Sequence, residues 1–254
     1  MTDQVTKAKT FKALHVPGRP VILFNVWDAG SAKAVAASGA KALATGSWSV
    51  AAAHGFDDGE YMPFDLAIAN LERIAAATDL PVTIDLESGY GTTPAEVGAN
   101  IARAVQAGAI GYNIEDSSRE TGPLRAISDQ AARLKGARDA ADRLGVPAFL
   151  NARTDVFLVA AADQHESLVD TALERGRAYA DAGADGFFVP GLADEALIAR
   201  IVEGSSLPVN IMASPKTPPA ARLAELGVAR ISHGPGPYRM AMKALEDAAR
   251  AALS

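Results

Sequence analysis

The sequence predicts a (β/α)8 barrel of the TIM type, with a C-terminal helix extending from the barrel, in a single domain over residues 1–254. Three observations carry the prediction. The chain has 254 residues, close to the roughly 250 of a one-domain barrel. Short apolar, β-rich runs recur along it with starts about 20 to 40 residues apart, the rhythm of repeated βα units. Several alanine-rich segments between those runs end in a glycine just before the next run, where a left-handed residue stops a helix at little steric cost.

The apolar runs are Val21–Val26, Ala42–Thr45, Val82–Leu86, Ile110–Ile114, Ala148–Asn151, Gly186–Val189, Val209–Met212 and Ala229–Ser232. Near-continuous apolarity suits parallel strands covered by helices. Pro81, Pro147 and Pro208 stand at strand starts, where a missing N–H matters least. The expected helices are Ser31–Ser38, Phe64–Ala77, Pro94–Ala107, Ser128–Leu144, His165–Ala182, Asp194–Glu203 and Pro218–Leu226. A terminal helix over Tyr238–Leu253 lines up Met240, Met242, Leu245 and Ala249. That face either covers the barrel or docks on a neighbouring subunit.

Composition narrows the function classes. The chain has no cysteine, which excludes disulfides, thiolate ligands and a cysteine nucleophile. No apolar run approaches a membrane span, and the polar N-terminus lacks a signal-peptide core, so a cytoplasmic protein is expected. A net charge of −6 argues against a broad nucleic-acid surface.

Barrel active sites lie at the C-terminal ends of the strands, so polar residues there are the candidates. Residues two apart on a strand share a face, which pairs Asp85 with Glu87, Asn113 with Glu115, and Asn151 with Arg153. Three carboxylates, Asp85, Glu87 and Glu115, then converge on the mouth. Two readings fit them. A hard divalent cation, Mg²⁺ or Mn²⁺, would relieve their mutual repulsion; alternatively they form a structural ion-pair network with Arg153. Arg153 is the one basic residue in this set, and its planar fork matches a carboxylate or an enolate oxygen. Asp58 lies on a long, glycine-containing connection after the second strand, able to close over the mouth. Taken alone, such a residue is more often a solvated loop acid.

Four segments together resemble the isocitrate lyase/phosphoenolpyruvate mutase superfamily: Gly-Phe-Asp-Asp-Gly (55–59), Asp-Leu-Glu-Ser-Gly-Tyr-Gly (85–91), Asn-Ile-Glu-Asp (113–116) and Asn-Ala-Arg-Thr-Asp (151–155). The resemblance runs from about Pro20 to Arg239. It implies a Mg²⁺-binding barrel that stabilises the enolate of a small 2-oxo acid. Asp85 would be the most direct metal ligand, with Glu87 and Glu115 acting mainly through metal-bound water. Ser47 and Trp48 would hold the substrate carboxylate, Asn113 and Asn210 would join them in binding substrate, and Arg153 and Asp58 would be catalytic.

The departures shape the expected reaction. The lyases' cysteine-bearing loop is absent, as Glu115-Asp116 runs into Ser117-Ser118-Arg119. Their glutamate after the sixth strand is Gly191 here, and Met212-Ala213 replaces a Thr-Glu pair. The mutases' lysine-rich gating loop is also missing. Decarboxylation of an oxaloacetate-like acid or C–C cleavage is therefore expected first, and P–C chemistry on phosphonopyruvate second, because Asp58 is retained. A catalytically silent 2-oxo acid binder is the alternative of another class. Tyr90, Arg119, His54 and water are the candidates for protonating the enolate, and a homo-oligomer, dimer or tetramer, is expected from the resemblance.

Overall fold

A computed structural model describes residues 2–118 and 123–254. Eight parallel strands, β1 (Val21–Leu23), β2 (Leu43–Ala44), β3 (Val82–Asp85), β4 (Gly111–Glu115), β5 (Phe149–Arg153), β6 (Gly186–Phe188), β7 (Val209–Met212) and β8 (Arg230–Ser232), run side by side in barrel order. β1 pairs with β8, and β1 and β2 meet through one parallel bridge, Val26 with Thr45. The result is a nearly closed TIM-type barrel with helices between the strands. Every predicted run overlaps a strand; most strands are shorter than the runs, while β4 and β5 continue past their predicted ends to Glu115 and Arg153.

The helices follow in chain order: α1 (Thr2–Ala13), α2 (Ala29–Ala37), α3 (Ser47–Ala53), α4 (Phe64–Ala76), α5 (Pro94–Gln106), α6 (Ile127–Arg143), α7 (His165–Asp181), α8 (Glu195–Gly204), α9 (Ala220–Glu225) and α10 (Gly236–Leu253). Their ends obey local chemistry. Asp28 and Thr93 form capping boxes with Ser31 and Glu96, satisfying first-turn amides. Gly39, Gly108, Gly183 and Gly227 take φ of 89, 108, 96 and 87°, the left-handed stops expected before β2, β4, β6 and β8.

Two helices lie outside the predicted set. α1 closes the N-terminal end of the barrel: Phe11 meets Phe149 edge-on at 5.6 Å, and the His15 ring stacks on Phe149 at 3.9 Å. Burial pushes His15 down to about 3, aided by the nearby Arg230, so it is neutral near pH 7. α3 forms at the mouth after β2. α10 is tethered at its start, where Tyr238 packs against Trp27 and Trp48 and Arg239 lies over the Trp48 ring at 4.5 Å. Beyond that, Met240, Leu245 and Leu253 are exposed, as is Ile22 of β1.

Asp116 shows how an acid beside the mouth serves the fold instead. It is fully buried, accepts from Arg175 (3.0 Å) and Tyr179 (2.7 Å), and accepts the Asp155 N–H at 2.9 Å. Removing it strands a buried guanidinium, a loss of about 3–5 kcal/mol. Asp116→Ala is therefore expected to lower the thermal unfolding midpoint by on the order of 10 °C; calorimetry showing an unchanged midpoint would count against this account.

Candidate active site

Strand ends and two connections build the site at the C-terminal mouth. Asp85 closes β3. Its backbone N–H donates to Thr45 Oγ1 at 3.0 Å, and Oδ2 accepts the Ser47 N–H at 3.3 Å. Oδ1 is buried without a hydrogen-bond partner. Two residues on, Glu87 is 4% exposed and takes φ of 51°. Its Oε1 accepts the Tyr90 hydroxyl at 3.0 Å, and Oε2 accepts the Glu60 N–H.

Parallel register sets Glu115 directly beside Arg153. Their side chains pair at 2.7 Å through Nη1 and Oε2. The other arms of Arg153, Nε and Nη2, donate to Asp155 at 2.6 and 3.0 Å. The strand-end arginine is thus held between two carboxylates.

Desolvation and like charge oppose full ionisation of this cluster. Burial raises the Glu87 pKa to about 8, with Asp58 and Asp85 adding to the rise. Burial also drives Glu115 well up against the pull of Arg153. For Arg153, burial alone would lower the pKa, but Glu115, Asp155 and Asp85 raise it and keep the guanidinium cationic. Asp58 is exposed as a residue, yet the protein around its carboxyl and the nearby Asp85 raise its pKa too.

Among the described residues, no three His, Asp or Glu side chains are grouped closely enough to hold a metal as they stand. The donors are nonetheless all oxygen, and the unpaired Asp85 Oδ1 is what a hard divalent cation takes up. The residues therefore fit Mg²⁺, with Asp85 as the free donor and Glu87 and Glu115 already engaged.

Two cavities open at the mouth. One of 230 Å³ is lined by Ser47, Trp48, Asp58, Asp85, Asn113 and Arg153, with Asn25, Ser232 and the 234–235 turn. The other, of 510 Å³, is lined by Asp58, Glu60, Glu87, Tyr90, Glu115 and Arg125, among others. Asp58 borders both. Asn210 lines neither and lies behind the first, hydrogen-bonded to Ser232 at 3.1 Å. Of the proton-donor candidates, Tyr90 lines the larger cavity, His54 is exposed and lines neither, and Arg119 lies outside the described residues. Asp28, which follows β1, caps α2 rather than facing either cavity.

Beside Glu60 on the larger cavity, three residues around the barrel axis were missed from sequence. Asn25, buried after β1, accepts the His233 and Gly234 N–H groups at 2.9 and 2.8 Å and donates to Thr45 O. Ser232 lines the smaller cavity. Arg230, at the start of β8, is 1% exposed inside the barrel. It donates to Ser232 at 3.2 Å and reaches Asn113 at 3.5 Å, while Nη1 has no partner. Burial pushes it down to about 9, against the attraction of Asp85. Its strand position, two residues before Ser232 on the same face, was the available signal.

The family model for phosphoenolpyruvate phosphomutase matches residues 11–253. A provisionally named phosphonomutase of Burkholderia cenocepacia J2315, seen in a crystal structure, is 58% identical with a TM-score of 0.95, covering 98% of this chain and 99% of that one. The oxaloacetate decarboxylase of Pseudomonas fluorescens SBW25 is 31% identical over 193 residues, 70% of this chain and 61% of the relative. A phosphonopyruvate hydrolase crystallised with oxalate and Mg²⁺ is 21% identical, with a TM-score of 0.82 over 95% of this chain and 84% of that one, a likeness of fold.

The raised Glu87 pKa has a consequence for stability. A carboxyl whose pKa is raised by folding favours the folded state fully below its unfolded value and loses that contribution as pH rises through the folded value. With values of 4.5 and about 8, metal-free protein is expected to lose thermal stability across that window, by on the order of 5 °C or more. Glu87→Gln should flatten the slope. Identical pH slopes for the two proteins in calorimetry would remove Glu87 as its source.

Proposed function

The chain belongs to the phosphoenolpyruvate phosphomutase family, and on that premise we propose that it is a Mg²⁺-dependent lyase or decarboxylase of a small 2-oxo or 2-hydroxy carboxylic acid. Members of the wider superfamily are lyases or mutases. The observation that carries the reading is the 230 Å³ cavity lined by both Arg153 and Asp85, the latter with its buried and unpaired Oδ1. A small carboxylate fits between a fixed cation and a metal-binding acid. The 31% identical oxaloacetate decarboxylase supports the same direction.

In this reading Asp85 holds Mg²⁺ directly, or Mn²⁺ in its place, while Glu87 and Glu115 hold it through water. The ion supplies positive charge that polarises the 2-oxo group. Gly46 precedes α3 without a side-chain cap; the Ser47 N–H is engaged by Asp85, so within the Ser47–Trp48 backbone the Trp48 amide is placed to receive the substrate carboxylate. Asn113 and Asn210 form the polar floor, Asn210 through Ser232. Arg153 stabilises the negative charge that develops on the substrate oxygen. For oxaloacetate, the C3–C4 bond breaks, CO₂ leaves, and the electron pair enters the enolate of pyruvate. A proton delivered to C3 then completes the product, and no protein acid is needed to release CO₂. Tyr90 or water supplies that proton.

A second reading is P–C chemistry on phosphonopyruvate. Asp58 at the border of both cavities and the 58% identical phosphonomutase favour it.

We also propose a homo-oligomer, with a second copy of the chain as the partner. A 740 Å³ groove lined by Val21, Ile22, Phe24, Ala34 and Val35 leaves part of the barrel wall uncovered, with Ile22 49% exposed. The same chain carries an exposed apolar face on α10 at Met240, Met242 and Leu245. Association of copies would cover both faces. Light scattering is expected to give a dimer or tetramer, and a Met240→Asp/Leu245→Asp variant a smaller particle; a monomeric wild type would exclude the pairing.

Pyruvate release from oxaloacetate, phosphonopyruvate and 2-methylisocitrate, with Mg²⁺ and with chelator, tests the main reading. Turnover above an enzyme-free control is expected on oxaloacetate, lost with chelator and lowered at least about 100-fold in a folded Asp85→Ala variant. Preference for phosphonopyruvate would select the second reading. Oxalate binding without turnover would mark a silent 2-oxo acid binder.

A further inference from the structure

Among the described residues, three non-glycine residues have positive φ: Glu60 at 64°, Glu87 at 51° and Tyr90 at 53°. Such backbone is costly and persists only where the surroundings over-determine it. These three are not scattered. They meet in one reciprocal clasp between the β2–β3 connection and the turn after β3.

The clasp uses two carboxylates. Glu60 Oε1 accepts the Ser88 hydroxyl and the Tyr90 N–H, each at 2.8 Å. Glu87 returns the contact by accepting the Glu60 N–H and, at 3.0 Å, the Tyr90 hydroxyl. The turn is the anchored side. Fully buried Arg133 donates to the carbonyls of Ser88 (2.7 Å), Gly91 (2.8 Å) and Thr92 (3.0 Å). Asn100 donates to those of Tyr90 (2.7 Å) and Gly89 (3.1 Å). The connection carrying Asp58 is held elsewhere by Phe56 and Met62, which pack with Val50, Ala51 and Ala67, and by a hydrogen bond between Ser47 and the Asp58 carboxyl; the clasp is what joins it to the turn. One residue, Gly59 at φ of 98°, separates Asp58 from Glu60.

We infer that Glu60 is a positioning residue that docks the Asp58 connection onto the anchored 88–92 turn and so, together with the hydrogen bond from Ser47, sets the Asp58 carboxyl on the wall between the two cavities. The inference rests on the proposed reaction only for Asp58 facing substrate; the clasp itself is independent of it. With the clasp made, Asp58 bounds a 230 Å³ space suited to a small acid. With it broken, that boundary with the 510 Å³ cavity loses its fixed wall.

The test pairs hydrogen exchange over residues 55–61 with steady-state kinetics on the preferred substrate, in the full-length protein with Mg²⁺. Glu60→Ala is expected to speed exchange in that segment at least about 10-fold and to lower kcat about 10- to 100-fold with KM little changed, the scale of a misplaced group. Glu60→Gln keeps an acceptor for Ser88 and Tyr90, so both readouts should recover toward wild type. Ser88→Ala should give a partial effect if Glu60→Ala does not fold. In an Asp58→Ala background, Glu60→Ala should cost no further activity.

Unchanged exchange in Glu60→Ala would overturn the clasp. Faster exchange with unchanged kcat, or a full additional loss on top of Asp58→Ala, would overturn the positioning role. Wild-type protein without turnover on any substrate, together with faster exchange in Glu60→Ala, would sink the reaction and support the clasp.

Discussion

Four carboxylates, Asp58, Asp85, Glu87 and Glu115, share one barrel mouth, and a desolvated space cannot hold that much negative charge without compensation. Much of the local structure answers this constraint. Glu115 is met by Arg153 through strand register, and Arg153 is steadied in turn by Asp155. Glu87 is met by a hydroxyl and a backbone N–H, which requires a left-handed residue at the turn. Asp85 is met on one oxygen by the first amide of α3. Its other oxygen is unpaired, which concentrates the unmet demand for positive charge at one atom.

The barrel interior is organised around the same demand. TIM interiors are dominated by bulky branched side chains in layers, yet here Asn113, Asn151, Asn210 and Ser232 form a linked polar layer with Arg230 among them. Burying a guanidinium without a contacting carboxylate is expensive. Asp85 above it attracts the charge, and His15 below is kept neutral. The axis therefore runs from a neutral closed end, through a buried cation, to an acidic open end.

The strands and most helices were legible because their signals are local and repeated: apolar runs, glycine stops and capping residues. The strand-end acids and Arg153 were legible for the same reason, since two-residue periodicity fixes which side chains share a face. The rest depends on partners far along the chain. α1 has a polar sequence whose few apolar contacts, such as Phe11, acquire meaning only once Phe149 stands at the barrel's closed end. Arg230 reads as an ordinary strand-start cation until the register puts it inside. Asn25 and Glu60 act through backbone amides, which leave no mark in residue type. Asp28 and Asp116 illustrate the converse, acids near strand ends that serve a helix cap and a buried ion pair.

The amide of Asn25 accepts hydrogen bonds from residues 208 and 209 positions further on, and Trp48 is gripped by Tyr238 and Arg239. At about 5–20 residues per second of synthesis, Asn25 waits roughly 10–40 s for its partners to be made. During that interval the nascent chain already contains the acids of β3 and β4 but not the segment that closes the ring around them. Until then β1 lacks its β8 neighbour, so the first strand is where holding by a chaperone would matter most.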